Sequence, residues 1–423
     1  MLISILLILF YFIFPVFLIY LTHRSKTVHK IGAVVMAYLS GLVFGNIGIL
    51  TRASSAFREI LVEKQNLSAR EVISYFEQGR IAETDLIAHQ IYSIQQVLLS
   101  VVIPLAIPLL LFSLDLKRWL KLAKGALFSL ALGLASLLIV VVCGYFVFGK
   151  LIADGWKVAG MLIGIYTGGA PNLAAISTAL NVEPNQFILT NTYDMVMGAF
   201  FLIFLLTSAQ RLFNLFLPRF YDSHRELEIQ QLMLESEDID NYRGMLSRNM
   251  LPRLLKAMGL SALVAGTGAA LSLLFPKSAQ MTVVILSITT LSLALSMIKS
   301  INRMQKTFQF GMYFIIVFSL IVASMGDLIN MFSIEFLHLF LYVTLAVFGS
   351  MFVHVFLSWI FKVDSDTTII TIAALTYSPP FVPVVAGALK NKDVIISGLT
   401  VGILGYAFGN YLGVALAFLL KGF

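Results

Sequence analysis

Tyr166-Thr167-Gly168-Gly169-Ala170-Pro171-Asn172 and Tyr377-Ser378-Pro379-Pro380-Phe381-Val382-Pro383 each fall inside an apolar run that otherwise reads as plain membrane helix. Gly has no side chain to hold helical geometry, and Pro removes a donor and clashes with the preceding turn, so both stretches predict unwound backbone. Within a bilayer, unpaired N–H and C=O groups survive only where protein, bound ion, substrate or cavity water satisfies them. Two such breaks at matching places in two halves of a chain point to a transporter binding site. A simple proline kink accounts for one break well and for a matched pair poorly.

Composition sets the class. With 59% apolar and 12% charged residues and a mean hydropathy of +0.91, a chain of 423 residues is too apolar for a soluble fold. Apolar runs of about 17 to 25 residues predict twelve spans, near 2–21, 31–50, 91–113, 125–148, 157–181, 186–207, 253–275, 280–297, 309–331, 335–361, 367–390 and 393–420. Barrel strands would instead alternate over roughly ten residues, so the expected fold is an all-α polytopic membrane protein. The run from Leu2 to Leu21 has no basic leader and is followed by His23-Arg24-Ser25-Lys26, which makes it an uncleaved first span. The lone Cys143, in Val141-Val142-Cys143-Gly144, leaves no disulfide framework or cysteine metal cluster and is expected to be a small packing residue.

A net charge of +7 in so apolar a chain is a topology signal, not a nucleic-acid signal. His23, Arg24, Lys26 and Lys30, then Lys117, Arg118, Lys121 and Lys124, place two short loops inside and the N-terminus outside. Residues 51–90 are polar with balanced charge, and Ser68-Ala69-Arg70-Glu71 has capping-box spacing, so amphipathic surface helices are expected there. Residues 219–249 hold seven acidic and four basic side chains and read as part of a solvated linker. The predicted organisation is a first transmembrane repeat over 1–207, a polar linker over 208–252 and a second repeat over 253–423.

Internal repetition supports that division. Leu111-Phe112-Ser113-Leu114-Asp115-Leu116 matches Ala323-Ser324-Met325-Gly326-Asp327-Leu328, and Ala179-Leu180-Asn181 matches Ala388-Leu389-Lys390-Asn391. Leu189-Thr190 and Leu399-Thr400 open the final spans of the two halves. Each repeat is expected to have about six helices, one of them discontinuous and crossing at mid-membrane. The charges conflict with that count. Lys299, Arg303 and Lys306 follow the second helix of their repeat, which inverts the halves, yet twelve simple crossings give them the same orientation. Either the linker hides a crossing or one nominal span, such as 280–297, does not cross.

Ile103-Pro104-Leu105-Ala106-Ile107-Pro108-Leu109-Leu110-Leu111 with Asp115, then Tyr166-Thr167-Gly168-Gly169, then Gly402 to Gly413 in the order Gly-Ile-Leu-Gly-Tyr-Ala-Phe-Gly-Asn-Tyr-Leu-Gly, resemble the bacterial and plastid membrane family called "domain of unknown function 819". The resemblance extends over nearly the full length. It implies kinship with cation:proton antiporters and sodium-coupled anion transporters, two inverted repeats, a panel domain, and a core of crossed discontinuous helices. It also implies elevator-like sliding of core against panel. In that superfamily the helix after the first crossover carries the ion-binding acid, and Asp194 matches that place. The chain departs from the family at the second break, where Ser378-Pro379-Pro380 replaces an Asn-rich Gly-Gly-Pro stretch.

Asp194 stands out without the resemblance. It lies in Thr190-Asn191-Thr192-Tyr193-Asp194, about two turns into its span, with no Lys or Arg in the same helix. A carboxylate at that depth is costly unless it holds a proton or a cation, so it is a functional candidate by default; the plain alternative is a protonated Asp bonded to a neighbouring helix. Thr190, Asn191 and Asn410 are candidate partners for a coupling ion, Na+ or H+, with Na+ at Asp194 the sole metal expected. Thr167, Gly168, Gly169, Asn172, Ser378, Pro379 and Pro380 are candidate substrate contacts. Gly405, Gly409 and Gly413, like Gly160, Gly164 and Gly168, are expected to permit close helix packing. Asp115 and Asp327 read as helix-end residues, and His354 as a neutral hydrogen-bonded residue.

No phosphate-binding, zinc-protease or hydrolase-elbow motif is present, so no enzyme activity and no cofactor are expected. The reading is a secondary active transporter in a bacterial cell membrane, a symporter driven by Na+ or H+ that carries a small, in one version anionic, organic solute. A monovalent cation:proton antiporter is the first alternative and a non-transporting receptor or scaffold the second. The expected partners are solute, ion and lipid bilayer, with a homodimer as the assembly to test.

Overall fold

The computed structural model describes every residue except 1, 25–31, 55, 58–59, 61–66, 114–123, 221–241, 246, 327–336, 378 and 392. Ser378, Asp115, Asp327 and the topology-setting Lys26, Lys30, Lys117, Arg118 and Lys121 lie outside the described residues. Among the described residues all regular structure is helical. The first half runs α1 (Leu2–Arg24), α2 (Ala33–Asn46), α3 (Ala69–Glu77), α4 (Glu83–Phe112), α5 (Lys124–Val147), α6 (Gly155–Ala179), α7 (Pro184–Thr207) and the short α8 (Ala209–Phe213). The second runs α9 (Leu251–Ser272), α10 (Gln280–Ser296), the short α11 (Lys299–Asn302), α12 (Thr307–Ser324) and α13 (Leu337–Thr344). A π turn (Leu345–Gly349) carries α13 into α14 (Ser350–Phe361), followed by α15 (Ser365–Tyr377), a 3-10 turn (Pro379–Phe381), α16 (Val382–Leu389) and α17 (Val394–Leu420).

Among the described residues eight helical runs are long and apolar enough to cross a bilayer: α1, α4, α5, α7, α9, α12, α17 and the continuous α13–α14. The shorter α2 and α10 are also apolar. At 17 residues, α10 rises about 25 Å, somewhat less than the ~30 Å hydrocarbon core. The two segments bearing the breaks, α6 and α15–α16, are absent from the long apolar set.

Both break-bearing segments fold back on themselves. As a straight rod, α6 would separate Lys157 from Asn181 by about 36 Å. Instead Lys157 Nζ donates to the Asn181 carbonyl at 3.2 Å. A Cβ on Gly160 would lie 3.0 Å from Leu180 Cδ1, and one on Gly164 would lie 3.1 Å from the Asn172 carbonyl. The two arms of α6 therefore lie side by side, joined at Tyr166 to Gly169. In the same way, Asn391 Nδ2 donates to Asp366 Oδ2 at 2.9 Å across 25 residues, which brings the end of α16 back to the start of α15. A crossing helix with a break in its middle was the expectation from the sequence. The geometry is a hairpin because Gly169 reverses the chain direction, which a proline kink alone does not do.

The ends of these segments follow local signals. Asp364 Oδ1 accepts from Thr367 N at 2.8 Å and caps α15, while Glu183 accepts from Gln186 N and Pro184 occupies the first turn of α7. Asn181 and Lys390 both adopt left-handed φ, 48° and 54°. After each, an N–H reaches back five residues, from Val182 to the Ser177 carbonyl and from Asn391 to the Ala386 carbonyl. This is the Schellman ending, and it falls where the two halves were aligned.

The helices gather into two compact units, Met1–Ile103 with Tyr313–Phe332, and Pro104–Met312 with Ser333–Phe423. In the first, Tyr11, Gln95 and Ser324 form a buried hydrogen-bonded triad. Residues 51–90 bury a small core of their own (Phe57, Ile60, Leu67, Val72 and Ile81), so they are more than surface amphipaths. The capping box at Ser68 and Glu71 is formed. In the second unit, α6 and α17 are the most extensively paired helices, and α5, α10 and α15 pack against α6.

Candidate functional site

The first break is built from backbone freedom. Gly169 has φ 64° and ψ −151°, a region only Gly occupies readily, and Tyr166 leaves the helical range at φ −92°, ψ 19°. Thr167 Oγ1 donates to the Ile163 carbonyl at 2.7 Å and lies 3.2 Å from the Gly164 carbonyl, which serves acceptors exposed by the break. Asn172 Nδ2 donates to the Gly405 carbonyl of α17 at 3.0 Å. Thr167 and Asn172, candidate substrate contacts from the sequence, are buried and hold the hairpin tip together and against α17.

The glycine ladders are the surface on which both breaks rest. A Cβ on Gly405 would collide with the Thr167 carbonyl, and one on Gly409 with the side chains of Thr167 and Asn172. On the same helix, a Cβ on Gly402 would lie 2.8 Å from the Pro379 ring and one on Gly398 2.6 Å from Val382. Gly402 and Gly405 differ by about 4.5 Å in height along α17, so the tips of both hairpins meet that helix at one level. From there the first hairpin extends toward the C-terminal end of α17, where Gly160 faces Ala417 and Gly413. The second extends toward its N-terminal end at Gly398.

Asp194 of α7 is half-buried. Its polar neighbours are two tyrosines, one from each hairpin. Tyr166, at the first break, brings its hydroxyl within interaction range of the carboxylate without forming a well-aligned hydrogen bond. Tyr377, the last residue of α15, also lies within electrostatic range. The Tyr377 hydroxyl donates to the Gly198 carbonyl of α7 at 2.6 Å, and its ring lies 5.4 Å from that of Phe381 and 6.2 Å from that of Phe201. Among the described residues no basic side chain pairs with Asp194.

The other proposed ion ligands lie on the same helices without hydrogen-bonding to Asp194. Thr190 is fully buried and donates to the Gln186 carbonyl at 2.8 Å, and Asn191 Nδ2 contacts Met195 Sδ at 3.6 Å. Asn410, beside Gly409 on α17, is buried with its Oδ1 unpartnered. Pro379 is buried against Gly402, and Pro380 lies in the 3-10 turn. Tyr166 and Tyr377 were quoted in the sequence only as edges of the breaks, since nothing in the chain order signals that the Tyr377 hydroxyl reaches the Gly198 carbonyl of α7.

Asp366 was also missed. It is buried and accepts from Gln210 Nε2 at 3.0 Å and Asn391 Nδ2 at 2.9 Å, so it closes the open end of the second hairpin. In sequence it looks like an ordinary acid in a first helical turn. His354 is buried with Nε2 3.4 Å from Ser129 Oγ, and Ser129 donates to Thr371 at 2.9 Å, a hydrogen-bonded setting as expected. Cys143 is exposed on α5 and is not the packing residue anticipated, because its neighbour Gly144 takes the close contact with Tyr342.

Fold and site define a multi-pass, all-helical membrane protein with two fold-back hairpins whose tips rest on α17. The chain belongs to the family described as "Protein of unknown function (DUF819)", whose sequence profile matches residues 62–423. It is similar to the "Uncharacterized membrane protein YjcL" of Bacillus subtilis (strain 168), 23% identical over 333 residues, which is 74% of this chain and 80% of that protein.

Proposed function

We propose that the protein is a secondary active transporter of the plasma membrane, coupling Na+ or H+ to symport of a small organic solute, with anions the first class to test. The observation that carries this reading is the pair of fold-back hairpins whose tips both rest on the glycines of α17. Asp194 binds the coupling ion, with Thr190 and Asn191 one turn before it on α7 and Asn410 Oδ1, unpartnered on α17, as the further oxygen ligands. Solute sits at the hairpin tips, against Thr167, Gly168, Gly169 and Asn172 on one side and Ser378, Pro379 and Pro380 on the other.

With the shorter apolar α2 and α10 counted as crossings beside the eight long runs, the described residues supply five crossings in each half. An odd number inverts the second half relative to the first, and every basic loop, including Lys299 to Lys306, then falls inside. The hairpins enter from opposite faces, the first from outside and the second from inside. The matching Schellman endings support the repeat. Membership of the cation:proton antiporter and anion transporter superfamily, and elevator-like motion, fit this arrangement.

Proteoliposomes with imposed Na+ or pH gradients test the coupling, after a thermal-shift screen of metabolites with and without Na+ has found a solute. Asp194→Asn is expected to lower gradient-driven uptake by about 100-fold, the upper range of coupling between sites. Full activity in that variant removes Asp194 from the mechanism, and uptake indifferent to both gradients removes ion coupling. The absence of a basic partner at Asp194 also favours a monovalent cation:proton antiporter. Proton release reported by a pH-sensitive dye on adding Na+, K+ or Li+ to energised vesicles, with no solute present, selects that alternative.

A further inference from the structure

Lysines and aromatic rings gather where α5, α17 and the first hairpin end together. The spanning helices α5 and α17 stop at Val147 and Leu420, so the residues just beyond them fall at the level of lipid headgroups. Trp156, in the first turn of α6, has its ring 5.9 Å from that of Phe418 on α17. Two ammonium groups lie over the indole, Lys421 Nζ at 4.9 Å and Lys157 Nζ at 5.4 Å. Next to this pair the ring of Phe423 lies 6.0 Å from that of Phe146 on α5, and Lys150 Nζ lies 5.0 Å over Phe146.

The charges in this group do not balance. Asp154 accepts from Trp156 Nε1 at 3.3 Å and pairs with Lys157 Nζ at 2.8 Å, and Lys157 also donates to the Asn181 carbonyl. Its carboxylate is thereby used within the first hairpin. Among the described residues neither Lys150 nor Lys421 has a carboxylate at ion-pair distance, and both are exposed. An aromatic face orients an ammonium group without neutralising it. Beside the two ammonium groups, the apolar surfaces of Phe146, Val147, Phe418 and Leu419 are also exposed. Unneutralised cations at headgroup level above apolar side chains fit a lipid with a negative headgroup. A zwitterionic headgroup brings its own cation to the two lysines and fits less well.

We propose that this face binds an anionic phospholipid, its phosphate on Lys150 and Lys421 and its acyl chains along Phe146 and Phe418. Lys421 shares the Trp156 indole with Lys157, which closes the first hairpin, so lipid and hairpin meet on one ring.

Trp156 is a reporter at the site itself. The chain has three tryptophans, so Trp119→Phe with Trp359→Phe leaves Trp156 alone. The protein is placed in phosphatidylcholine bilayers, and part of the lipid is replaced by phosphatidylglycerol or phosphatidylcholine with brominated acyl chains, which quench nearby indole. Brominated phosphatidylglycerol is expected to be preferred at least about fivefold, the factor that one basic side chain near an anionic lipid surface supplies. Lys150→Gln with Lys421→Gln is expected to bring the ratio to about one. Lys277→Gln, which removes the same charge from an exposed site before α10, is expected to leave it unaltered. Equal quenching by the two lipids overturns the proposal, as does a preference that survives the double substitution or that Lys277→Gln removes equally well. If the single-tryptophan protein does not fold, native mass spectrometry of protein with all its tryptophans replaces the fluorescence. Retained phosphatidylglycerol is expected to drop on Lys150→Gln with Lys421→Gln, and unchanged retention overturns the proposal. Transport is not measured, so failure here leaves the transporter reading standing.

Discussion

The two hairpins reach the same place by different chemistry. The first turns on Gly169, whose left-handed backbone is open to almost no other residue, and it rests its own carbonyl on Gly405. The second turns through a proline-bearing 3-10 segment and rests a ring on Gly402. Their open ends are closed with opposite charges. Lys157 donates to the Asn181 carbonyl in one, and the Asp366 carboxylate accepts from Asn391 in the other. A backbone turn is shaped by what the chain can adopt, whereas a proline turn is shaped by what it cannot. The first tip is therefore set by a backbone conformation and a backbone contact, and the second by a proline ring packed on a glycine.

The sharpest way to break this comparison is on α17. Gly405→Ala places a methyl group against backbone, which cannot rotate away, and is expected to cost about 3 kcal/mol or more. Gly402→Ala meets a side-chain ring and is expected to cost roughly half as much. Thermal unfolding in detergent ranks the two, and a reversed order means the second tip is the tighter.

Next come the turns themselves. Gly169→Ala forces a Cβ into a glycine-only region and is expected to cost about 2 to 3 kcal/mol. Pro379→Ala keeps an allowed conformation, mainly frees the unfolded chain, and is expected to cost about 1 kcal/mol or less. Equal losses of thermal stability would remove the distinction between a glycine turn and a proline turn.

The smallest contrast is at the open ends. Asp366→Ala takes the acceptor from the Asn391 amide and one of two acceptors from Gln210, which keeps the Leu389 carbonyl, and is expected to cost about 2 kcal/mol. Lys157→Ala, at a site with 15% side-chain exposure and a second partner in Asp154, is expected to cost about 0.5 kcal/mol. Hydrogen exchange at 178–183 and 388–393 reads each end separately. Faster exchange at both ends from either substitution would mean the hairpins open together.

Much of this site was legible along the chain. Gly168-Gly169 and the prolines after Tyr377 announce broken helix because their effect on backbone is local. Asp194 announces itself because charge at that depth is costly wherever the helix is placed. The glycine spacing on α17 and the Ser68 capping box are likewise short-range signals. The hairpin geometry was not legible, since a break that bends a helix and one that reverses it differ only in where the second arm packs. Lys157 and Asn181 are 24 residues apart, and nothing local tells them they touch.

By itself, then, the sequence determined the class of protein, the places where helix fails, the acid among the apolar residues and the clustering of basic residues between apolar runs. Each of these is a property of one residue or of a few neighbours. The tertiary structure alone decided that the ends of each broken segment come back together, that α17 is a shared floor for both tips, and that Tyr377 at the second break is tied to α7. Those depend on contacts between residues far apart in the chain, where packing and not propensity chooses the partner.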